Sequence, residues 1–332
     1  LFLLCSSLAL GPKVCAQAND LNAENRAELV VPRVSQRFSD LFDSRAYRYT
    51  GGVYDDRSFP YRLFVPEIHA GQRYPLVVWL HGHGEAGSEN AMHLAWLGER
   101  MMLPPWKRSR FPFFVLCVPC PIDNDFWLGF PEGTVPEDRS GSDMISVTDA
   151  ILTDLLKNFP VDTGRIYVTG VSSGGTGSWQ YALKYPARFA AVAPLAGGRI
   201  HGDFTRISNI PVWVFHSTHD TGTPVDGTRE NVAQLRAAGG WVKLTEVDTV
   251  SHDCWTSAFA EHHLLDWMLA QRRGGPVIME IRPWWQRIAD SLGHWTVGQA
   301  IGQVAVLGMI AAGGLEVLRW VRRKRRSRVV GA

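Results

Sequence analysis

The chain has 332 residues, 45% of them apolar and 20% charged, with a formal net charge of +2. That length allows one large domain or two ordinary ones, and the composition excludes a disordered or low-complexity chain. Seven of the Lys and Arg residues lie between Arg319 and Arg328, so the remainder is net acidic and nothing points to a nucleic-acid partner.

In chain order, the first segment is an apolar stretch, then the helix-breaking pair Gly11-Pro12, then Ala16-Gln17-Ala18. This is the pattern of a secretory signal, predicted over 1–18 with cleavage after Ala18. Residues 19–45 form a polar lead-in or a short helix. From Ala46 the pattern changes to that of a folded domain, predicted over 46–273. YRYTGGVYDDRSFPYRLFVP alternates and breaks at glycines, as an antiparallel hairpin does. YPLVVWLHGHGEAG and FPFFVLCVPCP are continuous apolar runs, the mark of strands buried on both faces.

Helical spacing over SDMISVTDAILTDLLKNFPVD stops at Pro160, and the strand RIYVTG follows. A helix over GTGSWQYALKYPARF, strands over FAAVAPLAG and IPVWVFHSTHD, a helix over DGTRENVAQLRAAGG, the strand VKLTEVD and one last helix over WTSAFAEHHLLDWMLAQ complete the domain. Strands alternating with helices predict an α/β fold with a mostly parallel sheet and helices on both faces.

A juxtamembrane linker is predicted over 274–295, with Trp284, Trp285 and Trp295 near its end. The stretch 296–318 carries Glu316 as its sole charge. As a helix it would span about 34 Å, enough to cross a bilayer. The basic tail 319–332 follows at once, so the positive-inside rule places the tail in the cytoplasm and the domain outside. Once the signal leaves with Cys5 and Cys15, the cysteines Cys117, Cys120 and Cys254 remain. One disulfide plus one thiol is possible among them, with the pairing open. The CVPC spacing lacks a second pair or nearby histidines, so no metal site is read from it.

In Gly170-Val171-Ser172-Ser173-Gly174 the sequence fits G-x-S-x-G centred on Ser172. A strand turning sharply into a helix forces the central residue into a strained conformation, and only tiny side chains fit two positions either side. Ser172 is therefore the candidate nucleophile, with the Ser173 N–H directed at a developing oxyanion. A serine nucleophile needs a base, and the base an orienting acid, which on such a fold follow in the order acid, then histidine. Asp220, at the end of VWVFHSTHD, is the candidate acid, with Asp226 and Asp248 as rivals. His252, in the loop DTVSHDCW, is the candidate base; His216 and His219 read as structural, and His262 and His263 as surface residues of the last helix. After the first buried strand, His81-Gly82-His83-Gly84 supplies a loop in which the His83 N–H is the second oxyanion donor. Each such donor is worth about 3 kcal/mol in the transition state.

Between Tyr61 and Trp267 the motifs YRLFVP, YPLVVWLHGHGEAG, VPCP, DTGRIYVTGVSSGGTGSWQYALKYPARFAAVAPLAGG, WVFHSTHDTGTPVDGTR and SHDCW occur in order. In these the chain resembles the α/β-hydrolase superfamily. More narrowly it is similar to secreted bacterial esterases grouped with polyhydroxybutyrate depolymerases, feruloyl esterases and phospholipase/carboxylesterase-like proteins, some described as predicted peptidases. The resemblance implies Ser172, Asp220 and His252 as the triad. His83 departs from the small residue expected at its place, which narrows the site, and the span over 296–318 is not a usual part of such enzymes. The resulting expectation is an exported, membrane-anchored serine hydrolase of carboxylic esters that needs no metal or organic cofactor. Its partners would be a small or polymeric ester and the membrane. A serine peptidase, or a non-catalytic binding protein on the same fold, is the alternative; the oligomeric state stays open.

Overall fold

A computed structural model describes residues 34–87, 92–97, 112–120, 127 and 143–280. The chain divides into two compact units, Leu1–Met279 and Glu280–Ala332, and the strands and helices named below all belong to the first. The predicted signal 1–18, span 296–318 and tail 319–332 lie outside the described residues. Among the described residues no helix is long and apolar enough to cross a membrane.

A single helical turn, α1 (Gln36–Ser39), is capped by Ser35, whose hydroxyl accepts the Phe38 N–H at 3.2 Å. It leads into the predicted hairpin, β1 (Phe42–Gly51) and β2 (Tyr54–Phe64). Gly52 makes their tight turn at φ 58°, a region that favours glycine. The remaining elements are β3 (Tyr74–Leu80), β4 (Phe114–Cys117), α2 (Met144–Asn158), β5 (Val161–Val171), α3 (Ser173–Lys184), β6 (Ala191–Leu195), β7 (Val212–Ser217), α4 (Val225–Ala237), β8 (Val242–Val247), α5 (Trp255–Ala260) and α6 (Leu264–Ala270).

The eight strands form one sheet in the order β1-β2-β4-β3-β5-β6-β7-β8. The pairs β1/β2 and β2/β4 are antiparallel and every later pair is parallel. All seven residues of β3 are buried, so the sheet is covered on both faces at its centre, as the continuous apolar run demands. From β3 the chain leaves toward β4, whereas from β5, on the other side of β3, it leaves toward β6. The crevice between the carboxyl ends of β3 and β5 is therefore a topological switch point, where α/β sheets place their sites.

The end of the domain departs from the sequence reading. Instead of one helix over 255–271 there are two, separated at His263, which takes a left-handed conformation (φ 53°, ψ 39°). The buried residues explain the break. Trp255, Ala258 and Phe259 line one face, and Leu264, Leu265, Trp267 and Met268 another. Phe259 and Leu264 are five apart, out of phase with a helical repeat of three or four, so one straight helix could not bury both sets. The His262 ring is half-buried and packs against Phe215 (centroids 5.4 Å apart).

Below the sheet's site edge, α2 and the turn after α3 are joined by a partly buried ion pair. Arg188 places Nε 2.9 Å and Nη2 2.7 Å from the two oxygens of Asp149, and the Tyr181 hydroxyl donates to the same carboxylate at 3.1 Å. Asp149 is 7% exposed, so removing its cation strands a desolvated charge. Replacing Arg188 by Ala should destabilise the domain by about 2–3 kcal/mol, read as a lower urea midpoint at unchanged slope; a shift under about 0.5 kcal/mol would show the pair to be dispensable.

Candidate active site

Ser172 sits between β5 and α3 with φ 55° and ψ −118°. For a residue with a side chain this region costs of order 1–3 kcal/mol and survives only where neighbours over-determine it. Here they do. The Ser172 N–H donates to the Leu195 carbonyl at 2.9 Å, and the Ser172 carbonyl accepts the Thr176 N–H at 3.0 Å. The two glycines of the motif have one shared cause. A Cβ on Gly170 would stand 2.3 Å from the Leu80 carbonyl oxygen, and one on Gly174 would stand 2.0 Å from the same atom. The turn is thus pressed against the last carbonyl of β3. Gly82, just beyond that carbonyl, comes so near that its own Cβ would lie 3.5 Å from Ser172 Cβ. Ser173 is the first residue of α3, where backbone N–H groups have no partner within the helix.

Asp220 follows β7 and is held from four directions. Its Oδ1 accepts the N–H groups of Gly222 (2.8 Å) and Thr223 (2.9 Å). Its Oδ2 accepts from His252 Nδ1 and stands 3.4 Å from His216 Nε2. Burial opposes ionisation of this carboxyl, but hydrogen bonds from His216, His252 and the Thr223 backbone outweigh it and hold its pKa well below the usual carboxylate range. Because a carboxylate only accepts, His252 carries its proton on Nδ1 and presents Nε2 as an acceptor. Trp255 packs edge-on to the imidazole at 5.4 Å. Two residues beyond His252, Cys254 is fully buried and anchors the loop in the core. Ala196, next to the Leu195 whose carbonyl holds Ser172, donates its N–H to the Phe215 carbonyl of β7 at 2.9 Å, which ties the segment that fixes the elbow to the strand that leads to Asp220.

The rivals go elsewhere. Asp226 is exposed and pairs with Arg229 at 3.0 Å, and Asp248 is exposed and faces His219 at 3.4 Å. His216, read from the sequence as structural, is fully buried and touches the acid. Its Nε2 donates to the Thr223 carbonyl at 2.7 Å, bracing the loop that carries Asp220.

After β3, His83 begins one 3-10 turn (His83–Glu85) and is exposed. The preceding peptide is clamped. The His81 Nε2 accepts the Cys120 N–H at 2.7 Å, so its Nδ1 carries the proton, donated to the Gly82 carbonyl at 2.7 Å. That ring is neutral, and burial pushes its pKa down to about 4. The Glu85 N–H also reaches the Gly82 carbonyl, at 3.2 Å. In a trans peptide the C=O and the next N–H point in opposite directions. Pinning the Gly82 carbonyl inward therefore turns the His83 N–H outward. Trp127 completes the support, donating its Nε1 proton to the His81 carbonyl at 3.1 Å.

Glu85 escaped the sequence reading. It is 2% exposed, and burial pushes its pKa up to about 8 although the backbone N–H groups of Gly82, Trp96 and Ala95 pull it down. Its signal was available: an acid three residues after a turn-starting glycine, as in a capping box. Cys117, Cys120 and Cys254 are all buried as thiols rather than joined in the disulfide that the sequence left possible. Burial pushes Cys117 and Cys254 up, so neither is a ready thiolate. Among the described residues no cluster of three or more His, Cys, Asp or Glu could hold a metal ion.

Residues 59–262 match the family described as Esterase PHB depolymerase. A solved thermostable esterase shares 31% identity and a TM-score of 0.61, over 71% of this chain and 64% of its own. The chain thus spans under two thirds of that relative's length. A ferulic acid esterase (15% identity, TM-score 0.50, 69% of this chain and 96% of its own) shares the fold. So does the acylaminoacyl peptidase of Pyrococcus horikoshii (16% identity, TM-score 0.51, 78% and 45%). No curated protein matches the chain.

Two outcomes test this arrangement. Gly174→Ala puts a methyl against backbone that cannot retreat, so it should cost about 3 kcal/mol or more, seen as a loss of folded, soluble protein; a wild-type melting temperature would contradict the wedge. The raised pKa of Glu85 has a definite sign. Below its ordinary 4.5 the group is protonated in folded and unfolded chains alike, while between 4.5 and about 8 only the unfolded chain releases the proton. Its contribution is complete below pH 4.5 and lost as pH rises through 8. The stability of Glu85→Gln relative to wild type should therefore improve by up to about 1.4 kcal/mol per pH unit across that window and level off above it. A flat difference would show a carboxyl that titrates normally.

Proposed function

The chain belongs to the Esterase PHB depolymerase family and is a serine hydrolase of α/β-hydrolase fold, and from that premise we propose that it cleaves carboxylic esters with Ser172, His252 and Asp220. The observation that carries the assignment is the Asp220–His252 pair, in which a buried carboxylate orients the imidazole beyond the carboxyl end of β7, the same sheet edge at which the strained Ser172 elbow follows β5. In this reading His252 Nε2 takes the proton of Ser172 as its Oγ attacks the ester carbonyl. The tetrahedral oxyanion is received by the N–H groups of His83 and Ser173. Collapse expels the alcohol, which takes the proton back from His252, and water then releases the acid from the acyl-enzyme by the same path.

The neighbours of the imidazole suit it to this role. Asp220, fully ionised at neutral pH, stabilises the imidazolium that forms and fixes the tautomer. The seven strand residues of β3 and the turn at Gly170–Gly174 keep the hydroxyl and the loop at 82–84 in register. Neither needs substrate to assemble it.

We further propose that residues 46–273 are the catalytic domain, that 1–18 directs export, and that 296–318 tethers the domain outside the membrane. The apolar character of both segments and the basic tail 319–332 support this.

With p-nitrophenyl acetate or butyrate, Ser172→Ala should lower kcat by at least about 10⁴-fold, His252→Ala similarly, and Asp220→Asn by about 10²–10⁴-fold, all with folding intact. Retained turnover in Ser172→Ala, or faster cleavage of peptide anilides than of esters by wild type, would overturn the assignment. Deletion from Thr296 onward should move the protein from the membrane fraction to the soluble one and leave kcat/KM within twofold. A full chain that is already soluble would refute the tether.

A further inference from the structure

Glu85 is the most deeply buried acid near the site that the proposed chemistry does not use, and its two oxygens serve two different segments. Oε2 accepts the Gly82 N–H at 2.8 Å, and Oε1 accepts the Trp96 N–H at 3.3 Å. The Trp96 ring meets the Trp255 ring edge-on at 5.0 Å, and Trp255 in turn packs on His252. A continuous line of contacts thus runs from the Gly82 peptide through Glu85, Trp96 and Trp255 to the imidazole.

We infer that Glu85 is a positioning residue for the oxyanion hole: its carboxyl holds the Gly82 N–H while its own N–H holds the Gly82 carbonyl, so that Gly82, and with it the next peptide that bears the His83 N–H, is fixed relative to the Trp96–Trp255 wall beside His252. The inference rests on the reading of Ser172 as nucleophile and His83 as an oxyanion donor.

The chemistry of the side chain explains why an acid stands here. Two backbone N–H groups approach from opposite segments, and each requires an acceptor. A carboxyl, protonated or not, keeps acceptor lone pairs on both oxygens; an amide offers one oxygen and would turn its NH₂ toward the other donor. A hydrocarbon offers none and would leave both N–H groups buried without a partner, which the fold disfavours. Glu85 grips Gly82 on both sides of its Cα, since its side chain meets the N–H of the 81–82 peptide while its own N–H meets the carbonyl of the 82–83 peptide. His81 Nδ1 holds the same carbonyl from the other side. Losing the side-chain contact loosens the 81–82 peptide, and the adjoining 82–83 peptide, whose N–H faces the substrate in this reading, is then less firmly preorganised. Substrate binding depends little on that N–H. The transition state depends on it strongly.

The test uses the full chain at pH 7, with wild type, Glu85→Gln and Glu85→Ala compared on p-nitrophenyl butyrate. An alkyl trifluoromethyl ketone is the second probe. Addition of Ser172 Oγ to its carbonyl carbon gives a hemiketal whose oxygen takes the negative charge while His252 takes the serine proton, so its affinity reports the oxyanion hole directly. We expect kcat to fall about 3–10-fold in Glu85→Gln and 10–100-fold in Glu85→Ala, with KM within threefold. The inhibition constant of the ketone should rise by the same factor as kcat/KM falls. Rates within twofold of wild type in both variants, or a fall in rate with unchanged ketone affinity, would overturn the inference. Should Glu85→Ala fail to fold, Glu85→Gln alone decides by the same two readouts. A wild-type chain that neither turns over the ester nor binds the ketone indicts instead the assignment of Ser172, which separates the two failures.

Discussion

The last carbonyl of β3 is the fixed point of the site. Gly170 and Gly174 both lie against the Leu80 oxygen so closely that neither tolerates a methyl group. Parallel strands β3 and β5 bring the two backbones to this distance, and the glycines let the turn remain there. The proposed catalytic groups are placed by that contact. It lifts Ser172 out of the sheet edge, and it brings the elbow beside Gly82, where the proposed oxyanion loop begins. The strain at Ser172 is held by packing that the core supplies in any case, so the reactive conformation needs no separate device.

Around that fixed point the polar groups are arranged so that burial is opposed at each place where a charge or a dipole is needed. Asp220 is desolvated, yet two backbone N–H groups and two imidazoles keep it ionised. His81 is desolvated and stays neutral, which gives it one donor for Gly82 and one acceptor for Cys120. Glu85 is desolvated with N–H donors but no imidazole beside its carboxyl, and its pKa rises. The contrast between Asp220 and Glu85 is one of partners rather than depth: both are buried, and the groups that face each one set its charge and its use.

Much of this was legible in the sequence, and the reasons are particular. Apolar runs such as YPLVVWL announce strands covered on both faces, and the spacing of Gly170, Ser172 and Gly174 announces the elbow because a steric rule lies behind it. The order of Ser172, Asp220 and His252 follows the path of the chain through the sheet, so a loop histidine with no local signature could be proposed over four others, and the structure sets its Nδ1 against Asp220. What stayed hidden depends on contacts between distant segments. His216 looks like any strand residue until β7 is folded against the Thr223 loop. Glu85 looks like a surface acid until Trp96 arrives to cover it. The break at His263 is invisible to composition, since both halves of 255–271 are apolar at helical spacing and only the phase between them differs.

All of this requires that Ser172, and no neighbouring hydroxyl, has been made reactive. Treating the folded full chain with an alkyl fluorophosphonate and mapping the product by mass spectrometry addresses it directly. The expected product is a single phosphonyl adduct, on the Ser172 hydroxyl, that forms slowly or not at all once the protein is unfolded. An adduct on Ser173, or a native chain that remains unlabelled, would contradict it.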